Sequence, residues 1–135
     1  VTTVLREERL PVLSDVDVVR VRRVVRERAA EARLSLVDQT KLVTAASELA
    51  RNCLEHGGGG EALVELVEAT PRRGVRVTLT DEGPGIPNVD LAMRDGYTTG
   101  SGLGLGLGGA KRLVNEFEID SAPGRGTRVA VVRWR

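Results

Sequence analysis

The stretch Gly74-Val75-Arg76-Val77-Thr78-Leu79-Thr80-Asp81-Glu82-Gly83-Pro84-Gly85-Ile86-Pro87 decides the fold. Val75, Val77 and Leu79 alternate with Arg76, Thr78 and Thr80, the period of a strand with one buried face. The next residue in the inward register is Asp81, followed by a rigid, turn-rich loop. A core-facing carboxylate is costly unless it is compensated. A loop N–H, an arginine or the exocyclic amine of a ligand would each compensate it. Gly83 and Gly85 allow a flat ligand to approach the backbone.

Upstream, Glu61 to Thr70 read as a second strand, rich in Val and Leu, joined through a turn at Pro71 to Gly74. Asp38 is expected to cap a helix running to about His56, with Leu42, Ala45, Leu49 and Cys53 on one stripe. Gly57 to Gly60 end it. An earlier helix starts at Ser14 or Asp15, with Val18, Val21, Val25, Ala29 and Ala32 at helical spacing. Val1 to Val12 read as a weak edge strand. Downstream, Asn88 to Gly102 are irregular. A third helix is expected through Leu103, Leu107, Ala110, Val114 and Phe117. Two closing strands, Phe117 to Ser121 and Gly126 to Trp134, bracket a turn at Ala122 to Arg125. The order β-α-α-β-β-loop-α-β-β predicts an α+β two-layer sandwich, with a mixed, mostly antiparallel sheet and helices on one face.

The 135 residues are expected to form a single domain spanning 1–135. At 41% hydrophobic the chain can bury a core. A net charge of +1 and 2% aromatic residues argue against nucleic acid as the partner. No apolar run approaches a membrane span, and no basic-then-apolar leader opens the chain, so no membrane partner and a cytoplasmic setting are expected. One cysteine and one histidine argue against a disulfide framework, a Cys-rich zinc site and a Ser/His/Asp triad.

The chemistry concentrates in four places. Glu48 and Asn52 stand one turn apart, so they share a helix face that could orient a nucleophile and hold Mg²⁺. Alternatively that face is simply solvated, with Glu48 paired to Arg51. Asp81 is the second place. The third is Gly100 to Gly109, where alternating Gly and Leu open a helix whose free N–H groups suit a phosphate chain. The P-loop pattern fails there, because Ala110 precedes Lys111 and no Ser or Thr follows the lysine. The fourth is Gly124-Arg125-Gly126-Thr127, a hairpin turn that leaves Thr127 in the inward register of Val129 and Val131.

Taken in order, these segments resemble the GHKL class of ATPases and kinases. Glu48-Leu-Ala-Arg-Asn52 is similar to its N box, and Asp81-Glu-Gly-Pro-Gly85 to its first glycine box. Gly102 to Gly108 resemble the second, and Gly124 to Thr127 the last. Within that class the chain resembles the bacterial serine/threonine kinases of the anti-sigma-factor family, and above all the switch kinases of the stressosome. Asp95-Gly96-Tyr97-Thr98-Thr99, Asn115-Glu116-Phe117-Glu118-Ile119 and Trp134 belong to that likeness. No dimerisation helix pair bearing a phospho-accepting His is expected before the domain, unlike in a complete sensor histidine kinase.

The resemblance implies a site for ATP and Mg²⁺. Glu48 would be the base or orienting group and Asn52 a Mg²⁺ ligand. Asp81 would take the adenine amine, with Thr127 nearby through its hydroxyl and a water, while Gly83 and Gly85 leave room for the ring. Gly102, Leu103, Gly104, Leu105 and Gly106 would cradle the phosphates, and Asn88 to Ser101 would form a mobile lid. The implied activity is phosphorylation of a STAS-domain antagonist protein in a partner-switching pathway, with a phosphatase or a sigma factor downstream. The alternatives are an anti-sigma factor kinase that sequesters a sigma factor, and a non-catalytic nucleotide-binding switch.

Overall fold

A computed structural model of the chain describes residues 1–94 and 106–135. Strand β1 covers Thr3–Val12, helix α1 Asp15–Glu31 and helix α2 Leu36–Glu55. Hairpin strands β2 and β3 cover Gly60–Ala69 and Arg72–Asp81. Short helices α3 (Val89–Ala92) and α4 (Leu107–Arg112) follow, then β4 (Glu116–Ser121) and β5 (Thr127–Trp134). The sheet order is β1-β2-β3-β5-β4, and every ladder is antiparallel. The sheet is therefore not mixed. Two consecutive helices carry the chain away from β1 and back again, so β2 enters antiparallel, and hairpins make the β2–β3 and β4–β5 pairs.

The core lies between the sheet and its helices. Val18, Val21, Val25 and Ala29 of α1 and Leu42, Ala45, Leu49 and Cys53 of α2 are all buried, as their spacing predicts. They meet Ala62, Val64 and Leu66 of β2, Val75, Val77 and Leu79 of β3, and Val129 and Val131 of β5. On the opposite sheet face Val67, Val132 and Trp134 form a small separate cluster. There Arg72 lies 5.1 Å over the Trp134 ring, whose Nε1 donates to Glu116. Nearby, Arg76 grips the buried Glu65 through two hydrogen bonds of 2.8 and 3.1 Å, which raises the arginine's pKa.

Ser14 caps α1, accepting from the Asp17 N–H, while the Asp17 carboxylate accepts the Leu13 N–H at 2.9 Å. This reciprocal arrangement satisfies two donors at the helix start. Asp38 does not cap α2. Ser35 does, accepting the Asp38 N–H at 3.1 Å, and the Asp38 side chain instead binds Arg133 at 2.8 Å. A partner 95 residues away claimed the carboxylate.

Other boundaries also move. The first hairpin turns at Thr70 and Pro71, and Arg72 already pairs with Ala69, so Arg72 to Gly74 belong to β3 rather than to the turn. Asn88 to Arg94 are not irregular throughout, because Asn88 caps the single turn α3. The third helix is shorter than its apolar spacing implies, ending at Arg112, while Phe117 sits in β4. Asn115 explains the early stop. Its N–H donates to the Val132 carbonyl at 2.8 Å and its side chain accepts the Trp134 N–H at 2.7 Å, so β5 captures the chain. Leu103 lies outside the described residues.

Candidate functional site

A solvent-open cleft lies between α2 and the end of the sheet. Leu49, Asn52, Cys53 and His56 form its α2 wall, spaced three, one and three residues apart. Leu79, Asp81, Thr127 and Val129 form its floor, and Gly85, Ile86 and Leu107 close its sides. The walls are mainly apolar, with few polar groups converging, the usual composition of a small-molecule site.

The sheet register places the floor. Asp81 pairs with Thr127, and Thr127 with Ser121, so three polar side chains lie in one row across β3, β5 and β4. Asp81 Oδ1 accepts the Gly83 N–H at 2.9 Å. Its other oxygen lies against the turn that ends α2: a Cβ on Gly57 would stand 2.5 Å from Oδ2. Gly83 is equally confined, since its Cβ would fall 2.6 Å from Gly57 Cα. Gly85 and Gly126 adopt φ of +78° and +74°. A Cβ on Gly85 would meet the Ala122 carbonyl at 2.0 Å, and one on Gly126 the Asp81 carbonyl at 2.2 Å. These glycines let three loops close on Asp81.

Glu48 stands one turn before Asn52 on α2, exposed at the mouth of the cleft. Gly106, at φ +64°, begins α4, and a Cβ there would lie 2.7 Å from Glu48 Oε2. Arg51 is not Glu48's partner. It reaches Glu55 at 3.6 Å and Asp15 at 3.9 Å. The structure thus gathers Asn52, Asp81, Gly85 and Thr127 in the cleft, with Gly83 behind Asp81 and Glu48 and Gly106 together at the mouth. Gly102, Leu103, Gly104 and Leu105, and the 95–101 part of the expected lid from Asn88 to Ser101, lie outside the described residues.

Three participants were not assigned to the cleft by sequence. Ser121 holds Thr127 Oγ1 at 2.8 Å and the Ile86 N–H at 2.8 Å. Its place at the end of a closing strand, in Thr127's register, was the available signal. Cys53 lines the cleft, where burial and the Asp81 charge push its thiol up to about 11. His56 caps α2, and its Nε2 is buried with no hydrogen-bond partner among the described residues.

A sheet of this topology under two helices, with an Asp-Gly floor facing an Asn on α2, defines a nucleotide-binding ATPase domain. The chain belongs to the family of histidine kinase-, DNA gyrase B- and HSP90-like ATPases, whose model matches residues 37–135. Among its relatives is the serine/threonine-protein kinase RsbT of Bacillus subtilis, 39% identical over 123 residues, spanning 91% of this chain and 92% of that protein. An anti-sigma F factor of Thermoanaerobacter sp. is 28% identical over 117 residues, 84% of this chain and 82% of that one. A crystal structure of RsbU and RsbW domains from Mycobacterium tuberculosis superposes with a TM-score of 0.63 at 24% identity. It covers 96% of this chain, which spans 33% of that longer one, and the likeness shows the fold. The expected GHKL fold, the use of ATP and the enzyme class, a protein serine/threonine kinase of GHKL type, are thereby borne out. Among the described residues no helix is long and apolar enough to cross a membrane.

Proposed function

We propose that the chain transfers the γ-phosphoryl group of ATP to a serine or threonine hydroxyl on a STAS-domain antagonist protein, in the cytoplasm, within a partner-switching pathway. The released kinase then engages a downstream phosphatase or sigma factor. The observation that carries this reading is the division of α2. Asn52 lines the cleft, while Glu48, one turn away, is exposed beside it, where the hydroxyl of a second protein can reach.

In this reading Asp81 accepts from the adenine amine, Thr127 supports it, and Gly83 and Gly85 admit the ring. Gly102 to Gly106 supply backbone N–H groups to the phosphates. Glu48 takes the proton of the attacking hydroxyl as its oxygen bonds to the γ-phosphorus and the bond to ADP breaks. Among the described residues no three His, Cys, Asp or Glu side chains converge into a metal cage. Mg²⁺ ordinarily takes one or two protein oxygens together with substrate phosphates and waters, and the Asn52 amide oxygen fits that pattern. Bound there, the ion would neutralise phosphate charge.

The test is Glu48→Gln, which keeps the shape and removes the basic oxygen. It should bind ATP·Mg²⁺ normally and transfer phosphate to the STAS partner about 10²–10⁴-fold more slowly. Transfer at the wild-type rate would sink the role of Glu48 as base, and absence of transfer by the wild-type chain itself would favour the non-catalytic switch. The anti-sigma F relatives motivate a second reading, a kinase that sequesters a sigma factor. Capture of a sigma subunit, rather than a phosphatase, by the purified chain with ATP·Mg²⁺ would select it.

A further inference from the structure

At the end of the sheet away from the cleft, three arginines border one solvent-open hollow. Glu31, Ala32 and Arg33 line it from the end of α1, Pro71 and Arg73 from the first hairpin, and Arg135 from beyond β5. β3 runs ten residues from Arg72 to Asp81, so the hollow stands about 30 Å from Asp81.

The arginines sit there against local preference. Arg33 has φ +63°, and among the described residues no other non-glycine is left-handed. The end of α1 explains the angle. The Leu34 N–H donates to the Ala29 carbonyl at 3.0 Å and the Arg33 N–H to the Ala30 carbonyl at 3.0 Å. This is a Schellman turn, and Arg33 occupies the position where glycine is usual and any side chain is strained. Arg73 and Arg135 face each other across two strands. Gly74 pairs with Trp134, and the Arg135 N–H donates to the Arg73 carbonyl at 2.9 Å, extending the ladder by one pair. Alternation puts both side chains on the helix side, with Val75 and Arg133. Like charges directly opposite destabilise a sheet. Glu68 meets Arg73 at 3.0 Å, and Glu31 is already held by Arg28 at 3.0 Å and Arg6 at 3.6 Å. The side chains of Arg33 and Arg135 make no hydrogen bond or ion pair among the described residues. Positive charge is therefore left uncompensated at one spot, on an exposed pair of guanidinium groups.

We propose that this hollow binds a phosphate-class dianion, at a site separate from the ATP cleft. Each guanidinium presents a planar fork of N–H groups that matches two oxygens of a phosphate. A dianion seated between Arg73 and Arg135 turns their opposition into attraction, and Arg33 reaches it from the helix side. The strained turn at Arg33 then has a reason: glycine would relax the backbone and remove the fork. Free phosphate and the phosphoryl group of a phosphoserine present the same oxygens, so either source fits this chemistry.

The test follows backbone amide resonances at constant ionic strength. The chain is first saturated with Mg²⁺ and a non-hydrolysable ATP analogue, so that phosphate cannot enter the cleft. Inorganic phosphate and N-acetyl-O-phosphoserine amide are then titrated separately. The Arg33, Leu34, Arg73 and Arg135 amides should shift saturably, with a Kd on the order of 1 mM for the better probe. Preference for one probe assigns the source, a free anion or a phosphorylated protein. Arg33→Gly should weaken binding about tenfold and, in phosphate-free buffer, raise Tm by about 3 °C as the left-handed backbone relaxes. Arg135→Gln should also weaken binding about tenfold, with the cleft amides unmoved. Equal shifts with chloride at the same ionic strength would mean screening alone and overturn the proposal. Undiminished binding in Arg33→Gly, or a lower Tm in that protein, would overturn it too, because the arginine would then serve the fold. If Arg33→Gly does not fold, the proposal fails for the same reason. Wild-type affinity in Arg135→Gln rejects the site by itself.

Discussion

The two ends of the cleft are built differently. At the end proposed to hold the base, the base end, Asp81, Thr127 and Ser121 lie on three neighbouring strands, and their spacing follows from the sheet register. Backbone closes on them from the α2 turn, the Gly83–Gly85 loop and the β4–β5 turn, with gaps too small for a methyl group. At the end proposed to face the phosphates, the phosphate end, Glu48 is exposed on a helix, and its described contact is with Gly106 at the start of a six-residue helix. The base end is preorganised by ladders that cannot slip by one residue without turning every side chain over. The phosphate end is assembled by a helix face meeting a glycine segment. On the proposed reading, recognition of a constant ligand falls on the rigid part, and the residue that meets a second protein falls at the open edge.

That contrast can be broken most directly at Gly126. Gly126→Ala combines left-handed backbone with a Cβ 2.2 Å from the Asp81 carbonyl, between two paired strands that cannot separate independently. It should cost roughly 3 kcal/mol, lowering Tm by about 10 °C, and abolish ATP binding. A stable Gly126→Ala protein with normal ATP affinity would mean the base end is no stiffer than the mouth.

Gly106→Ala sharpens the comparison from the other side. Its φ is similarly left-handed, but the contact is the far end of a flexible, exposed side chain. A cost of about 1 kcal/mol in urea unfolding is expected, with the preference for ATP over GTP intact and phosphoryl transfer impaired because Glu48 is displaced. Altered base preference would show the two ends to be coupled.

The smallest effect belongs to Cys53, beneath the base end. Its thiol is held neutral to about 11, first by burial and then by the Asp81 charge. The unfolded chain releases that proton near the ordinary value of 9.0. The stabilisation is therefore complete below pH 9 and is lost as pH climbs toward about 11. The unfolding free energy measured across that window should fall less steeply with pH in Cys53→Ala than in wild type. Parallel slopes would show the thiol to be solvated in the folded protein.

Most of the base end was legible along the chain. Strict alternation in β3 put Asp81 on the inner face, and the same period in β5 put Thr127 there, because a pleated strand leaves no choice of side. The α2 stripe likewise separated Glu48 and Asn52 from the apolar residues. Ser121 was not legible as a partner, since its role needs β4 beside β5, a pairing that no local pattern specifies. The helix through Leu103 to Phe117 was overextended for a related reason: apolar spacing fits a helix or a strand over a short run, and β5 decided between them.

What the chain's own order of residues settles is therefore periodic or local: which faces are apolar, where glycines permit a turn, and which polar residues interrupt an apolar register. Those are properties of single elements, set by backbone geometry and by side-chain spacing of two or of three to four residues. Tertiary structure decided what depends on neighbours distant in sequence. It gave Asp38 to Arg133 and left the cap to Ser35. It ended α4 early and joined Ser121, Thr127 and Ile86 through one hydroxyl. A hydrogen-bonding side chain takes the partner that folding brings within reach, and that partner can lie anywhere in the chain.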